Sequence, residues 1–481
     1  MATSLEELFI APQSLSRFEP LVGEERMRET DIVARETAHR MVGRAWWNVS
    51  STARGGGVAE MLRSLLAFAR GADIDARWAV IHGTPEFFML TKRLHHALHG
   101  MQGDGSALGE PQRRIYESTL QSNAKELLPL VRPRDVVLLH DPQTAGLAPY
   151  LARHGAIVIW RSHIGIEEPN EQTRLAWEFL DPYLQDVDAT VFSREAYIPP
   201  SCKRKRWAVI PPSIDAFSAK NQPLDDATVR AILVQTGLVE GPPGDGQPIY
   251  HREDGTPARV DRQAVIIRQG RAPEWERNLI VQVSRWDPLK DPIGVMHGFA
   301  MSVSSDMPAD SELVLAGPSV TAVADDPEGA ETFAAVVDAW RQLPDGDRDR
   351  IHLVSLPMAD IEENAAIVNA LQRHAAVVVQ KSLREGFGLT VTEAMWKGRP
   401  MVASRVGGIQ DQITDGVDGL LVEPTDLSAF NLATRAILDD PSFASRLGAN
   451  ARQRIINDFL GVRHLEQYAH LLADIESARP D

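Results

Sequence analysis

The chain has 481 residues, 43% of them hydrophobic and 24% charged, with 50 Lys and Arg against 66 Asp and Glu for a formal net charge of −16. That length exceeds what one core usually serves, so two domains are expected, and the composition excludes a low-complexity or disordered chain. The acidic surplus argues against general affinity for nucleic acid or an anionic membrane, and a single cysteine, Cys202, rules out an intrachain disulfide. The basic run beside it, Lys203 to Arg206, is of the kind that lowers a thiol pKa, but no catalytic partner is visible in the sequence. The amino end lacks the basic start and apolar core of a secretory signal, and no apolar run is long enough to span a bilayer. A cytoplasmic location is expected.

Residues 1–43 read as a polar amino-terminal extension. The runs RAWWNVSS (44–51) and RWAVIHG (77–83) then read as strands, and between them Val58, Met61, Leu62, Leu65, Leu66 and Ala69 recur at helical spacing. DVVLLHD (135–141), AIVIWRSH (156–163), ATVFS (189–193) and WAVIPPS (207–213) continue the series. Strands that are apolar almost throughout, separated by helical pattern, indicate a parallel sheet covered on both faces. Residues 44–217 therefore form one doubly wound domain.

Residues 218–275 change in texture. Their centre, within the 239–273 segment, is rich in Gly, Pro and charge without a sustained period, and reads as a linker or insertion. Alternation resumes with NLIVQVSRW (278–286), SELVLAG (311–317), RIHLVSLP (350–357), AAVVVQKS (375–382), PMVAS (400–404) and GLLVE (419–423), a second doubly wound domain over 276–459. Open sheets of this kind bind ligands beyond the carboxyl ends of their strands, so two of them facing each other would enclose a cleft.

Candidate chemistry sits at those strand ends. Gly55, Gly56 and Gly57 follow the first strand and open a helix, where backbone N–H groups can approach an anion; a tight turn would need the same glycines, and neither a dinucleotide fingerprint nor a P-loop is present. In SRWDPLKD (284–291), Arg285 and Lys290 follow the first strand of the second domain, a fork and a mobile ammonium suited to a diphosphate, or else two solvated loop charges. In REGFGLTVTEAMWKGRP (384–400), Glu385 follows a strand, Gly386, Phe387 and Gly388 form a turn, and Glu393 falls inside the helix that starts near Thr390. Ionised carboxylates are strong acceptors for sugar and ribose hydroxyls. Asp141 and His163 end two strands of the first domain. With no HExxH and no paired CxxC, nothing argues for a bound metal, and the absence of GxSxG removes the commonest serine-hydrolase pattern.

EGFGLTVTEAMWKGRP (385–400) resembles the E-x7-E block of retaining nucleotide-sugar glycosyltransferases of the GT-B architecture, which consists of two Rossmann-like domains. GGGVAEML (55–62), HDPQTAGL (140–147), RSHIGIEEPN (161–170), IPPSIDAFSAKN (210–221) and QVSRWDPLKDP (282–292) resemble, more narrowly, the trehalose glycosyltransferring synthases. The resemblance runs from about residue 44 to the carboxyl end. It implies reversible synthesis of α,α-trehalose from a nucleoside diphosphate-glucose and glucose, with no cofactor and no metal ion. It also implies a role for each matching residue. Arg285 and Lys290 would hold the diphosphate, Glu393 the ribose, and Glu385 with Gly386, Phe387 and Gly388 the transferred glucose. Gly56 and Gly57 would back the donor, His163 would contact the donor glucose, and Asp141 would lie near the acceptor. A closing helix near 462–476 would return to the first domain, adding 460–481 to it. One position departs from the pattern: Gly165 stands where an aspartate is expected. A trehalose phosphorylase of the same fold and a non-catalytic sugar- or nucleotide-binding protein are the alternatives. The oligomeric state is left open, a homodimer among the options.

Overall fold

The structure, a computed structural model, describes residues 4–53, 57–103, 105–303, 307–320 and 327–478. The chain divides into two compact units, Met1–Ser213 with Phe459–Asp481, and Ile214–Asp458.

The first unit is built on β1 (Glu6–Leu8), β2 (Trp46–Ser50), β3 (Ala76–Val80), β4 (Val136–His140), β5 (Ile157–Ser162), β6 (Ala189–Phe192) and β7 (Trp207–Val209), in sheet order β1-β3-β2-β4-β5-β6-β7. All neighbours are parallel except β1, which pairs antiparallel with β3 at the edge. Each face carries its own apolar cluster, one including Trp47, Val137, Val158 and Trp160, the other Trp46, Leu138, Ile159 and Val191, which explains why these strands alternate so little in polarity. Residues 1–43 belong to this unit. The helix Glu24–Arg40 packs on the helix Gly461–Ser477, with Arg26 paired to Glu466 and Thr30 Oγ1 donating to Glu466 Oε1 over 2.6 Å. That returning helix adds Tyr468, Leu471, Leu472 and Ile475 to the second cluster.

The second unit carries a small two-stranded sheet of β8 (Ile249–His251) and β9 (Pro257–Arg259). Its main sheet comprises β10 (Val265–Ile267), β11 (Asn278–Val283), β12 (Ser311–Pro318), β13 (Ile351–Leu356), β14 (Val377–Gln380), β15 (Met401–Ser404) and β16 (Leu420–Val422), ordered β10-β13-β12-β11-β14-β15-β16. Again only the edge strand, β10, runs antiparallel. Residues 218–275, expected as a linker or insertion, lie inside this unit. Helix Asp226–Gln235 packs on helix Ile361–His374, β10 extends the sheet, and Arg252 pairs with Asp360 and Glu362. Short edge strands and ion pairs carry no hydrophobic period, so composition alone reads this segment as loop.

Among the parallel strands, chain order reverses between β2 and β4 in the first sheet and between β11 and β14 in the second. At such a reversal the following loops diverge to opposite faces and leave a crevice at the carboxyl ends. No helix among the described residues is long and apolar enough to cross a membrane.

Candidate active site

In the second unit the reversal between β11 and β14 brings two sequence-expected residues together. Lys290, from the 3-10 turn Pro288–Lys290 after β11, pairs with Glu385, which follows β14. Both side chains are mostly buried, at 17% and 11% exposure, so the pair is held in a low-dielectric pocket and not merely tethered at the surface. Ser382 Oγ donates to the same carboxylate oxygen over 3.2 Å, and Gln282 Nε2 holds the Lys290 carbonyl at 2.9 Å. Asp287 caps the turn through the Leu289 N–H at 2.8 Å, and its other oxygen meets Arg285 at 3.3 Å. Arg285 is 68% exposed and has its guanidinium beside this turn.

The turn after Glu385 is braced from behind. Gly388 has φ of +88°, a conformation that a side chain makes costly, and initiates helix Leu389–Trp396. A Cβ there would also press on Glu385 Cγ at 3.1 Å. Gly408, after β15, packs so closely that a Cβ would lie 2.7 Å from Phe387 Cα, and its N–H donates to the Gly386 carbonyl over 3.1 Å. Glu393 lies one turn into the helix, 4% exposed, with Lys220 Nζ 3.5 Å from its carboxylate. Lys397 Nζ donates to the Glu393 carbonyl at 3.1 Å and to Asn221 Oδ1 at 2.9 Å, and burial draws its ammonium down to about 7. The segment 220–221 thus reaches the helix that carries Glu393.

In the first unit Asp141 and His163 directly follow β4 and β5 beside the reversal at β2. Asp141 has φ of +61°, strained for a residue with a side chain, and its Oδ1 accepts the His163 N–H over 2.7 Å. Burial pushes its carboxyl up to about 7, against the lowering effect of that N–H and of the Arg161 charge. The His163 ring stacks on His140, ring centres 5.4 Å apart, with Nε2 3.1 Å from His140 Nδ1. Arg161 Nε donates to His163 Nδ1 at 3.3 Å. Gly57 begins the helix Gly57–Gly71, as the spacing predicts, whereas Gly55 and Gly56 lie outside the described residues.

Gly165 has a steric reason. A Cβ there would fall 2.2 Å from Cγ of Tyr197, which is only 4% exposed, so this fold leaves no room for the expected aspartate. Cys202 is buried, and its thiol is pushed up to about 12, opposite to the lowering that the adjacent basic run suggests. Among the described residues, no group of three or more His, Cys, Asp or Glu side chains gathers where it could hold a metal ion.

Residues 48–199 match the family described as trehalose synthase, N-terminal domain, and residues 362–454 match glycosyl transferases group 1. The trehalose synthase of Pyrococcus horikoshii is 33% identical over 472 residues, covering 98% of this chain and 99% of the relative. The chain belongs to the trehalose synthase family. It is a glycosyltransferase, and its two Rossmann-like units make the GT-B fold. A UDP-forming α,α-trehalose-phosphate synthase from Burkholderia xenovorans, solved with glucose-6-phosphate, shares that fold at 17% identity and a TM-score of 0.65, over 90% of this chain and 100% of that one. A trehalose phosphorylase from Pleurotus pulmonarius is 26% identical over 79% of this chain and 50% of its own length.

Several supporting groups in this member of the trehalose synthase family are not marked in its sequence. The Gly407–Gly408 pair after β15 is a visible signal, a glycine pair ending a strand. Gln282, Ser382 and Lys220 carry no such mark, because a polar residue in a strand or a polar stretch is ambiguous until the fold shows what it faces. Arg161 stands in RSHIG, yet nothing in the string announces a fully buried cation.

Proposed function

We propose that this chain transfers glucose from a nucleoside diphosphate-glucose to free glucose, with retention at the anomeric carbon, making α,α-trehalose reversibly. The observation that carries the reading is the buried Lys290–Glu385 pair at the sheet reversal with Arg285 exposed beside it. One cation remains open to solvent, and a second is fixed against a carboxylate suited to sugar hydroxyls. Lys290 has three N–H donors, so holding Glu385 leaves others for a phosphate oxygen.

In this reading Arg285 and Lys290 hold the diphosphate, Glu393 takes the ribose, and Glu385 with the turn through Gly386, Phe387 and Gly388 holds the transferred glucose. Gly56 and Gly57 back the donor, His163 contacts the donor glucose, and Asp141 serves the acceptor. The acceptor hydroxyl attacks the anomeric carbon on the face from which the diphosphate departs. The bond from that carbon to the phosphate oxygen breaks with its electron pair on the nucleoside diphosphate. A new carbon–oxygen bond forms, and a diphosphate oxygen takes the acceptor's proton. The protein's work is to stabilise charge on the leaving group and to hold the acceptor in line, and no metal ion is assigned a part.

A panel of labelled donors and acceptors, read by product identity and anomeric configuration, tests the reading. Labelled α,α-trehalose from a nucleoside diphosphate-glucose and glucose is the expected product. Glucose 1-phosphate from trehalose and phosphate, with no nucleotide-sugar turnover, would replace it with the phosphorylase activity of the Pleurotus pulmonarius relative.

A further inference from the structure

We propose that Arg161 is a positioning residue for the transfer, holding His163 as a single neutral tautomer through a directed run of hydrogen bonds that the helix Gly461–Ser477 anchors. The proposal rests on the reading of His163 as a contact of the donor glucose.

Arg161 lies in β5 with no exposed surface. A guanidinium only donates, and every group it reaches is a neutral acceptor. Nε meets His163 Nδ1 at 3.3 Å, Nη1 meets His464 Nε2 at 3.0 Å and the Tyr468 hydroxyl, and Nη2 meets the Ile210 carbonyl at 2.9 Å. Each imidazole nitrogen facing the cation must therefore be bare. His163 then carries its proton on Nε2, directed at His140 Nδ1 over 3.1 Å. His140 in turn carries its own on Nε2, directed at Asn48 Oδ1 over 3.1 Å. On the other branch His464 keeps its proton on Nδ1, directed at Ser213 Oγ over 2.8 Å. One donor sequence runs from Arg161 through His163 and His140 to Asn48 in β2, where the sheet order reverses.

A further proton on His163, His140 or His464 would set N–H against N–H. All three are held well below the usual histidine range by burial and by the Arg161 charge. The other charged or titratable groups acting on this cluster are the Asp141 carboxyl, which accepts the His163 N–H, the Tyr468 hydroxyl, and Arg463 near His464. An imidazolium at His163 would oppose the positive charge developing at the anomeric carbon, and the other neutral tautomer would exchange the ring's donor and acceptor sides. Arg161 prevents both.

The decisive measurement needs no substrate. In protein labelled with 15N-histidine, His163 is identified by the signal lost in His163→Asn. It should show the Nε2–H tautomer and stay unprotonated as pH falls through about 6.5, where an ordinary histidine takes up its proton. A proton on Nδ1, or ordinary titration, overturns the proposal. The supporting measurement is the pH profile of Arg161→Lys and Arg161→Met. Partners that orient metal-bound histidines are worth roughly 10–100-fold, and by analogy a kcat loss of that size is expected here. It should come with a new acidic limb near the ordinary histidine midpoint of about 6.5. Folded Arg161→Met with the parent's profile also overturns it, since a merely structural role lowers the folded fraction and adds no limb. Failure of the donor panel to yield trehalose would sink the reading of the reaction and leave the tautomer result standing.

Discussion

Arg285→Ala separates function from folding more cleanly than any other change at the site. Its guanidinium is 68% exposed, and its ion pair is to Asp287 at 3.3 Å. An exposed pair of that kind contributes roughly 0–1 kcal/mol. Asp287 keeps its hydrogen bond to the Leu289 N–H without it, so the turn should persist. If Arg285 instead meets a diphosphate whose charge grows as the glycosidic bond breaks, losing that preorganised donor costs about 10²–10³ in rate, or about 2.7–4 kcal/mol. The expected signature is a thermal midpoint close to the parent's with transfer lowered about 100-fold or more. The assay follows labelled glucose from the nucleotide donor into trehalose, alongside an unfolding curve on the same preparation. A folded variant turning over within about threefold of the parent would fall far short of the expected loss and remove Arg285 from the diphosphate site.

Glu393→Gln should weaken donor binding by roughly 10–100-fold, the worth of a hydrogen bond to a charged group. Donors lacking the ribose hydroxyls should not distinguish variant from parent in competition binding, and an unchanged deficit with them would place Glu393 elsewhere. Asp141→Asn tests the strained carboxyl. Unfolded, an aspartate titrates near 3.8, and folded this one titrates near 7, so the native state holds the extra proton between those values and loses stability as pH rises through them. The variant should therefore gain stability over the parent at pH above about 7 and lose that advantage below about 4, checked by denaturant titration across pH. Gly165→Ala should destabilise the first unit by roughly 1–3 kcal/mol through the collision with Tyr197. An unchanged unfolding midpoint would mean that the Tyr197 ring moves aside freely.

Every parallel strand is legible in the sequence as a run dominated by apolar residues; most are buried on both faces, as WWNVS of β2 and NLIVQV of β11 illustrate, while the edge strand β7 is only partly covered. The antiparallel edges are not. β1, β8, β9 and β10 are three residues each, largely exposed, and held by backbone pairing that any composition allows. Among the site residues, Arg285, Lys290, Glu385 and Glu393 are visible because charged and glycine residues stand out at the end of an apolar strand. Their partners are a different matter. Lys220 reaches Glu393 from 173 positions away, and His464 reaches Arg161 from 303 away, so no local pattern links them. The reason for Gly165 is likewise hidden until the Tyr197 ring is in place.

The first unit is completed only by the segment Phe459–Asp481, which the ribosome produces after all of Ile214–Asp458. During synthesis the later-encoded unit can therefore finish first, while the earlier one waits with the Trp46 face of its sheet lacking Tyr468, Leu471 and Leu472. The histidine cluster waits too, since Arg161 gains two of its acceptors from that final helix. A nascent chain interrupted before residue 459 would present a folded second unit and an unfinished first one, and chaperone contact during translation should concentrate on that uncovered apolar face.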